Sequence, residues 1–108
     1  HHHMLTSGFD ALDEINLLNG RHVAEVIAAS GRCQMVISGH IHRKLVSAFK
    51  GVTHTVIKSP CHQMPMVLGS GDLYPSVSEP GGYCVLLLNG EIPILHHVDV
   101  GLPLGEFQ

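Results

Sequence analysis

Residues 33–38, Cys33-Gln34-Met35-Val36-Ile37-Ser38, form a short apolar run without clean polar alternation, and Gly39 closes it. A run of this kind predicts a strand covered on both faces, which a layered α/β arrangement provides and a one-sided antiparallel sheet does not. The flanking segments narrow the class further. Upstream, Ser7 can cap a helix that carries Asp10 in its first turn and Leu12, Ile15 and Leu18 on one face. Asn19-Gly20 breaks that helix and caps a second, with the stripe Val23, Val26 and Ile27; Gly31 suits the left-handed position that ends it. Downstream, residues 45–49 and 52–57 flank Lys50-Gly51 as a hairpin, and residues 64–68 read as a further strand. Residues 69–82 are rich in Gly, Ser and Pro and read as a loop. Residues 83–88 and 91–98 flank Asn89-Gly90, the strongest short hairpin signal in the chain. The tail from Gly101 has no periodic pattern. Two helices, one buried strand and then a mostly antiparallel run of strands predict an α/β fold, part of a layered sandwich.

His1-His2-His3-Met4 reads as a tag remnant followed by a start codon, so residues 1–4 are set apart and residues 5–108 are taken as one domain. The formal net charge of -3 and the lack of any Lys/Arg cluster exclude nucleic acid as an expected partner. The longest apolar runs are too short to cross a bilayer, so no membrane partner is expected. Cys33, Cys61 and Cys84 are odd in number and form no CxxC pair, which fits a reduced, cytoplasmic setting. Only 14% of residues are charged, against roughly a quarter in ordinary soluble domains. A small domain exposes proportionally more surface and should be more polar than average. The shortfall predicts surface that is normally covered, by more of the same fold or by a second copy in a homo-oligomer; the plainer reading is an uncharged surface.

The chemistry centres on Ile37-Ser38-Gly39-His40-Ile41-His42-Arg43. In extended backbone, histidines at i and i+2 point to the same side with their Cα atoms roughly 6.5 Å apart. Such a pair can feed two adjacent metal ions, one imidazole each. Its position also fits, because α/β folds assemble sites just beyond the carboxyl ends of their strands. Gly39 would let the chain turn sharply and pass close to an ion. By itself a His-x-His pair is usually two surface or partly buried histidines.

Residues 35–63, MVISGHIHRKLVSAFKGVTHTVIKSPCHQ, carry a resemblance. A strand ending in Gly-His-x-His, a hairpin, and a second strand leading into a small-residue segment that ends in His-Gln are together similar to the C-terminal signature of calcineurin-like metallophosphoesterases. The closest branch is the class III cyclic-nucleotide and glycerophosphodiester phosphodiesterases. Residues 7–19 resemble the stretch just after that family's His-His-Pro-Pro motif. The resemblance implies the C-terminal half of an αββα sandwich and a phosphodiester substrate. It also implies a site with two divalent ions, where a bridging hydroxide attacks phosphorus in line. Carried onto this sequence, His40 would bind the second metal and His42 the first; neutral imidazole suits Zn, Mn or Fe. His62 would lie beside the pocket as a proton donor or substrate contact, or serve as a structural histidine at a strand end. Arg43 would help hold phosphate, unless it is simply solvated.

The family pattern also has Asp-x-His, Gly-Asp, Gly-Asn-His and a further lone histidine, none of which stands before Gly39 in residues 5–38. Gly71-Asp72 comes after the Gly-His-x-His element and is out of order. Two close divalent ions without a bridging carboxylate repel one another. The expectation is therefore a fragment of a metal-dependent phosphodiesterase, inactive alone. The alternative of another class is a free-standing non-catalytic metal-binding or oligomerisation module. His96-His97 and the pair Met64 and Met66 read as structural, and Asp72, Glu79 and Asp99 form no recognisable acid/base pair.

Overall fold

The computed structural model describes residues 1–72 and 75–101. The chain is α/β, with helices α1 (Asp10–Asp13) and α2 (Gly20–Ser30) followed by strands β1 (Met35–Ser38), β2 (Leu45–Phe49), β3 (Val52–Val56), β4 (Gly82–Leu87) and β5 (Ile94–Asp99). The patternless tail lies, beyond Gly101, outside the described residues.

Three strands form a mixed sheet in the order β1-β3-β2, and β4 pairs with β5 in a separate ribbon. The expected hairpin forms, with Phe49 opposite Val52 and positive φ at both Lys50 (49°) and Gly51 (84°), the twist that matches flanking strands. β3 then returns beside β1 in parallel, Met35 opposite Thr53 and Ser38 opposite Val56. The expectation that β1 is covered on both faces is corrected. Ile37 is 38% exposed, so one face lacks a covering layer; β1 is also an edge strand, since among the described residues only β3 pairs with it.

Three further expectations are corrected. The first helix is a single turn. The Asp13 carboxylate reaches back to accept from Ser7 N (2.7 Å), Ser7 Oγ (2.7 Å) and Gly8 N (3.2 Å), which closes the turn on itself and leaves Ile15 and Leu18 exposed. Residues 64–68 are not a strand. Pro65 offers no N–H for a ladder, Val67 N donates to Pro65 O in a tight turn (2.9 Å), and Gln63 alone bridges, to Val77. The β4–β5 hairpin closes at Leu87 opposite Ile94, so residues 88–93 form a wide loop in place of a two-residue turn; Pro93 keeps the pairing from running further.

α2 ends as expected, with Gly31 left-handed at φ 66°. Of its stripe, Val23 and Ile27 are half-buried and Val26 is exposed; Ala24, outside the stripe, is fully buried. The hydrophobic core is small: Phe9, Leu12, Ile41 and Val56, with Leu45 and Met64 packed against it. The expectation that Met64 and Met66 share a core face holds for Met64 only, since Met66 is exposed. The described residues extend 47 × 42 × 18 Å, a slab, and the β4–β5 ribbon exposes Tyr83, Val85, Leu86, Leu87 and Ile94. No helix among the described residues is long and apolar enough to cross a membrane. The first four residues are part of this packing. His3 is buried, Leu17 N donates to His3 O, and Gly20 leaves room for the Met4 backbone, which a Cβ there would strike.

Candidate metal centre

β1 ends where Ser38 O accepts from Ile57 N (3.0 Å) and Gly39 N donates to His1 O (2.9 Å). The chain then makes a tight turn. Ile41 N donates to Gly39 O (2.8 Å), and His42 O accepts from Met64 N (2.7 Å). His40 and His42 both adopt left-handed backbone, φ 68° and 55°, a conformation costly for residues with a Cβ. Ile41 between them points into the core and is 1% exposed. The expectation from extended backbone, two rings on one side, is therefore replaced by a turn that sends the rings to different neighbours. Gly39 is not among the positive-φ glycines, and a Cβ there would meet the His1 ring at an ordinary contact distance of 3.5 Å, so the expected need for glycine at the turn is corrected.

The His40 ring meets those of His2 (centroids 4.5 Å apart) and His1 (5.2 Å), which also meet each other (5.0 Å). One ligand nitrogen from each of the three lies within 4.8 Å of the others. His40 Nε2 is buried with no hydrogen-bond partner. Burial, then the neighbouring His2 and His42 rings, push the His40 pKa below its ordinary value and favour the neutral imidazole that binds metal. The His42 ring stands 4.8 Å from that of His62. A cleft of about 190 Å³ adjoins His1, His40 and His42, and another of about 200 Å³ adjoins His40, His42 and His62.

His62 is carried by a turn held from beneath. Gln63 is buried, and its amide accepts from Ser59 N (3.0 Å) and donates to Ser59 O (2.8 Å). Cys61 Sγ lies 3.3 Å from His62 Nδ1 and 3.2 Å from Ser59 Oγ. The Ser59 hydrogen bond, aided by the His62 backbone N–H, lowers the Cys61 pKa. Arg43, expected at phosphate, is engaged elsewhere: its guanidinium grips Glu79 through both carboxylate oxygens and donates from Nε to Met64 O (3.0 Å). Lys58 pairs with Asp99 (2.7 Å), which holds the Asp99 carboxyl below its usual range. His96-His97 stays apart from the cluster; His97 instead faces Cys84 across the ribbon, Nδ1 to Sγ 3.3 Å.

The residues that sequence reasoning passes over are His1 and His2, set apart with the tag. A signal was present, since residues 7–19 resemble a stretch that the family places after a double-histidine motif.

No family model matches the chain. It is 33% identical over 63 residues to a 3′,5′-cyclic adenosine monophosphate phosphodiesterase of Haemophilus influenzae, an alignment covering 58% of this chain and 23% of that protein. It is 25% identical over 96 residues to a probable cyclic nucleotide phosphodiesterase of Rhodopseudomonas palustris, covering 89% of this chain and 35% of that one. The chain thus spans a minor part of the relatives it matches.

Proposed function

We propose, taking homology to the cyclic nucleotide phosphodiesterases as the premise, that this chain supplies part of a metal-dependent site which hydrolyses phosphodiesters. The observation that carries the proposal is the gathering of histidine rings in two adjoining groups, His1, His2 and His40 in one and His42 with His62 in the other, with His40, His42 and His62 lining one cleft. The donor set fits a divalent ion in the first group, where three imidazoles converge and one buried nitrogen has no other partner. In the second group, His42 would hold another ion. Nitrogen donors alone suit Zn or Fe, and Mn would need oxygen ligands from elsewhere. Among the described residues no Asp or Glu joins the three-histidine group, so the bridging carboxylate would come from elsewhere in a larger domain.

Bound cations would lower the pKa of a water and offset charge developing on the phosphoryl oxygens. The chain's own residues set the stage for that chemistry. Partial burial lowers the His40 pKa, which favours the neutral ring with a lone pair available. A Cys61 thiol donating to His62 Nδ1 would leave the ring proton on Nε2, from which neutral His62 can donate a hydrogen bond to a phosphoryl or leaving oxygen. Arg43 acts on structure and not on phosphate, because Glu79 already neutralises it. The substrate class is a small phosphodiester, a cyclic nucleotide by the names of the relatives, and the chain alone is inactive.

Calorimetric titration with Zn or Mn tests the site. Binding should vanish in His40→Ala, fall in His2→Ala, and persist in His22→Ala, which removes an exposed histidine of α2. Binding that survives His40→Ala would sink the assignment. Turnover of a chromogenic diester by this chain, abolished by the same substitution, would show that it needs no other part. The second reading, an oligomerisation module, is favoured by one observation, the exposed apolar ribbon β4–β5.

A further inference from the structure

The two turns that carry the histidines, residues 39–43 and 59–63, are not joined directly to each other by their ring nitrogens. Both are joined to one segment, residues 77–82. Val77 N donates to Gln63 O (2.9 Å) and Gln63 N to Val77 O (3.4 Å). Gln63 Nε2 reaches Pro80 O (3.4 Å), and Gly82 N donates to Ser59 O (3.0 Å). Gly81 lies so close to the second turn that a Cβ there would overlap the Pro60 carbonyl. Glu79, two residues after Val77, receives both terminal nitrogens of Arg43 at 2.7 to 2.9 Å. The same guanidinium donates through Nε to Met64 O, while Met64 N donates to His42 O (2.7 Å). Three contacts thus enclose His42: its own carbonyl is pinned, the next side chain is clamped, and the residue before it is buried.

We propose that residues 77–82 are a brace that sets the spacing of His42 and His62, and that Glu79 is its positioning residue, acting through Arg43. Sequence spacing gives no hint of this, because Glu79 lies far along the chain from Arg43. The geometry explains why a carboxylate next to a histidine site neither meets a histidine nor stays free. Left-handed backbone at two adjacent-but-one residues needs fixing from outside, and a bidentate Arg–carboxylate pair supplies direction as well as attraction. The pair is partly exposed, with the Arg43 side chain 17% and the Glu79 side chain 44% accessible. Its worth in global stability is accordingly small. Its effect on ring placement is the quantity to measure, and outer partners of this type typically change metal affinity about 10–100-fold.

The inference rests on the metal-site reading of the histidines, so the test separates the two. Co2+ is titrated into the unaltered chain, Glu79→Gln, Glu79→Asp and Arg43→Lys, and the visible absorption of the bound ion is recorded. The metal-free proteins are compared by the ring C–H chemical shifts of His42 and His62. Glu79→Gln and Arg43→Lys should weaken Co2+ about tenfold and alter its band. Glu79→Asp should recover part of both, and the melting temperature should move by only a few degrees. An unaltered affinity and band in Glu79→Gln overturn the brace. If the unaltered chain binds no Co2+, the metal reading fails, and the ring shifts alone decide: unmoved His42 and His62 signals in Glu79→Gln overturn the brace as well.

Discussion

Replacing Ile41 with alanine should unfold the site before it unfolds the chain. Ile41 is 1% exposed and, among the described residues, belongs to a core cluster with three other buried apolar side chains, Phe9, Leu12 and Val56. Burying an isoleucine is worth about 1.5–3 kcal/mol. The left-handed backbone at His40 and His42 costs about 1–2 kcal/mol each, so roughly 2–4 kcal/mol for the pair. The two quantities nearly balance, with the hydrogen bonds at Ile41 N and His42 O making up the difference. Truncation to alanine removes most of the favourable side and should cost about 3 kcal/mol, whereas Ile41→Val should cost about 1 kcal/mol. The chain has no tryptophan, so urea unfolding is best monitored by far-ultraviolet circular dichroism, with Zn affinity measured in parallel well below the midpoint. Both the midpoint and the affinity should drop in Ile41→Ala. A loss below about 1 kcal/mol would refute the packing argument. A full stability loss with unchanged affinity in the folded fraction would refute the idea that Ile41 holds the turn.

The same contacts carry three other expected outcomes. His54 is buried on β3, neither ring nitrogen has a partner, and burial pushes its pKa down; the unfolded chain therefore binds more protons below about pH 6.5, and stability should fall with acid at up to about 1.4 kcal/mol per pH unit. Urea midpoints from pH 8 to 5 check this, and His54→Leu should flatten the acid limb. Cys61 is exposed with a lowered pKa while burial raises that of Cys84, so iodoacetamide at pH 7 should label Cys61 first; equal rates would contradict the hydrogen bonds drawn to Ser59 and His62. The bare β1 edge and the apolar β4–β5 ribbon should make the chain self-associate, and light scattering should show a mass that rises with concentration and is reduced by Leu87→Lys. A monomer at high concentration would point to a self-sufficient module.

Local chemistry decided much of this molecule. Gly31 ends α2 because a left-handed residue is needed there, and Lys50-Gly51 makes its hairpin because a two-residue turn needs two positive φ values. Apolar patterning located β1, β2, β3 and, apart from its loop, the β4–β5 ribbon. The resemblance of residues 35–63 picked out His40, His42 and His62, and the structure brings all three to one cleft. What the sequence could not decide depended on groups distant along the chain. Backbone conformation at His40 and His42 is set by the burial of Ile41 and by Met64, not by any preference of histidine. Arg43 has the charge of a phosphate contact, but Glu79, far away in sequence, neutralises it. Likewise Ile15 and Leu18 have helical spacing, but the Asp13 carboxylate closes the first helix after one turn and leaves them in solvent. Periodicity reports which face could be buried; only the tertiary structure supplies, or withholds, the surface that buries it.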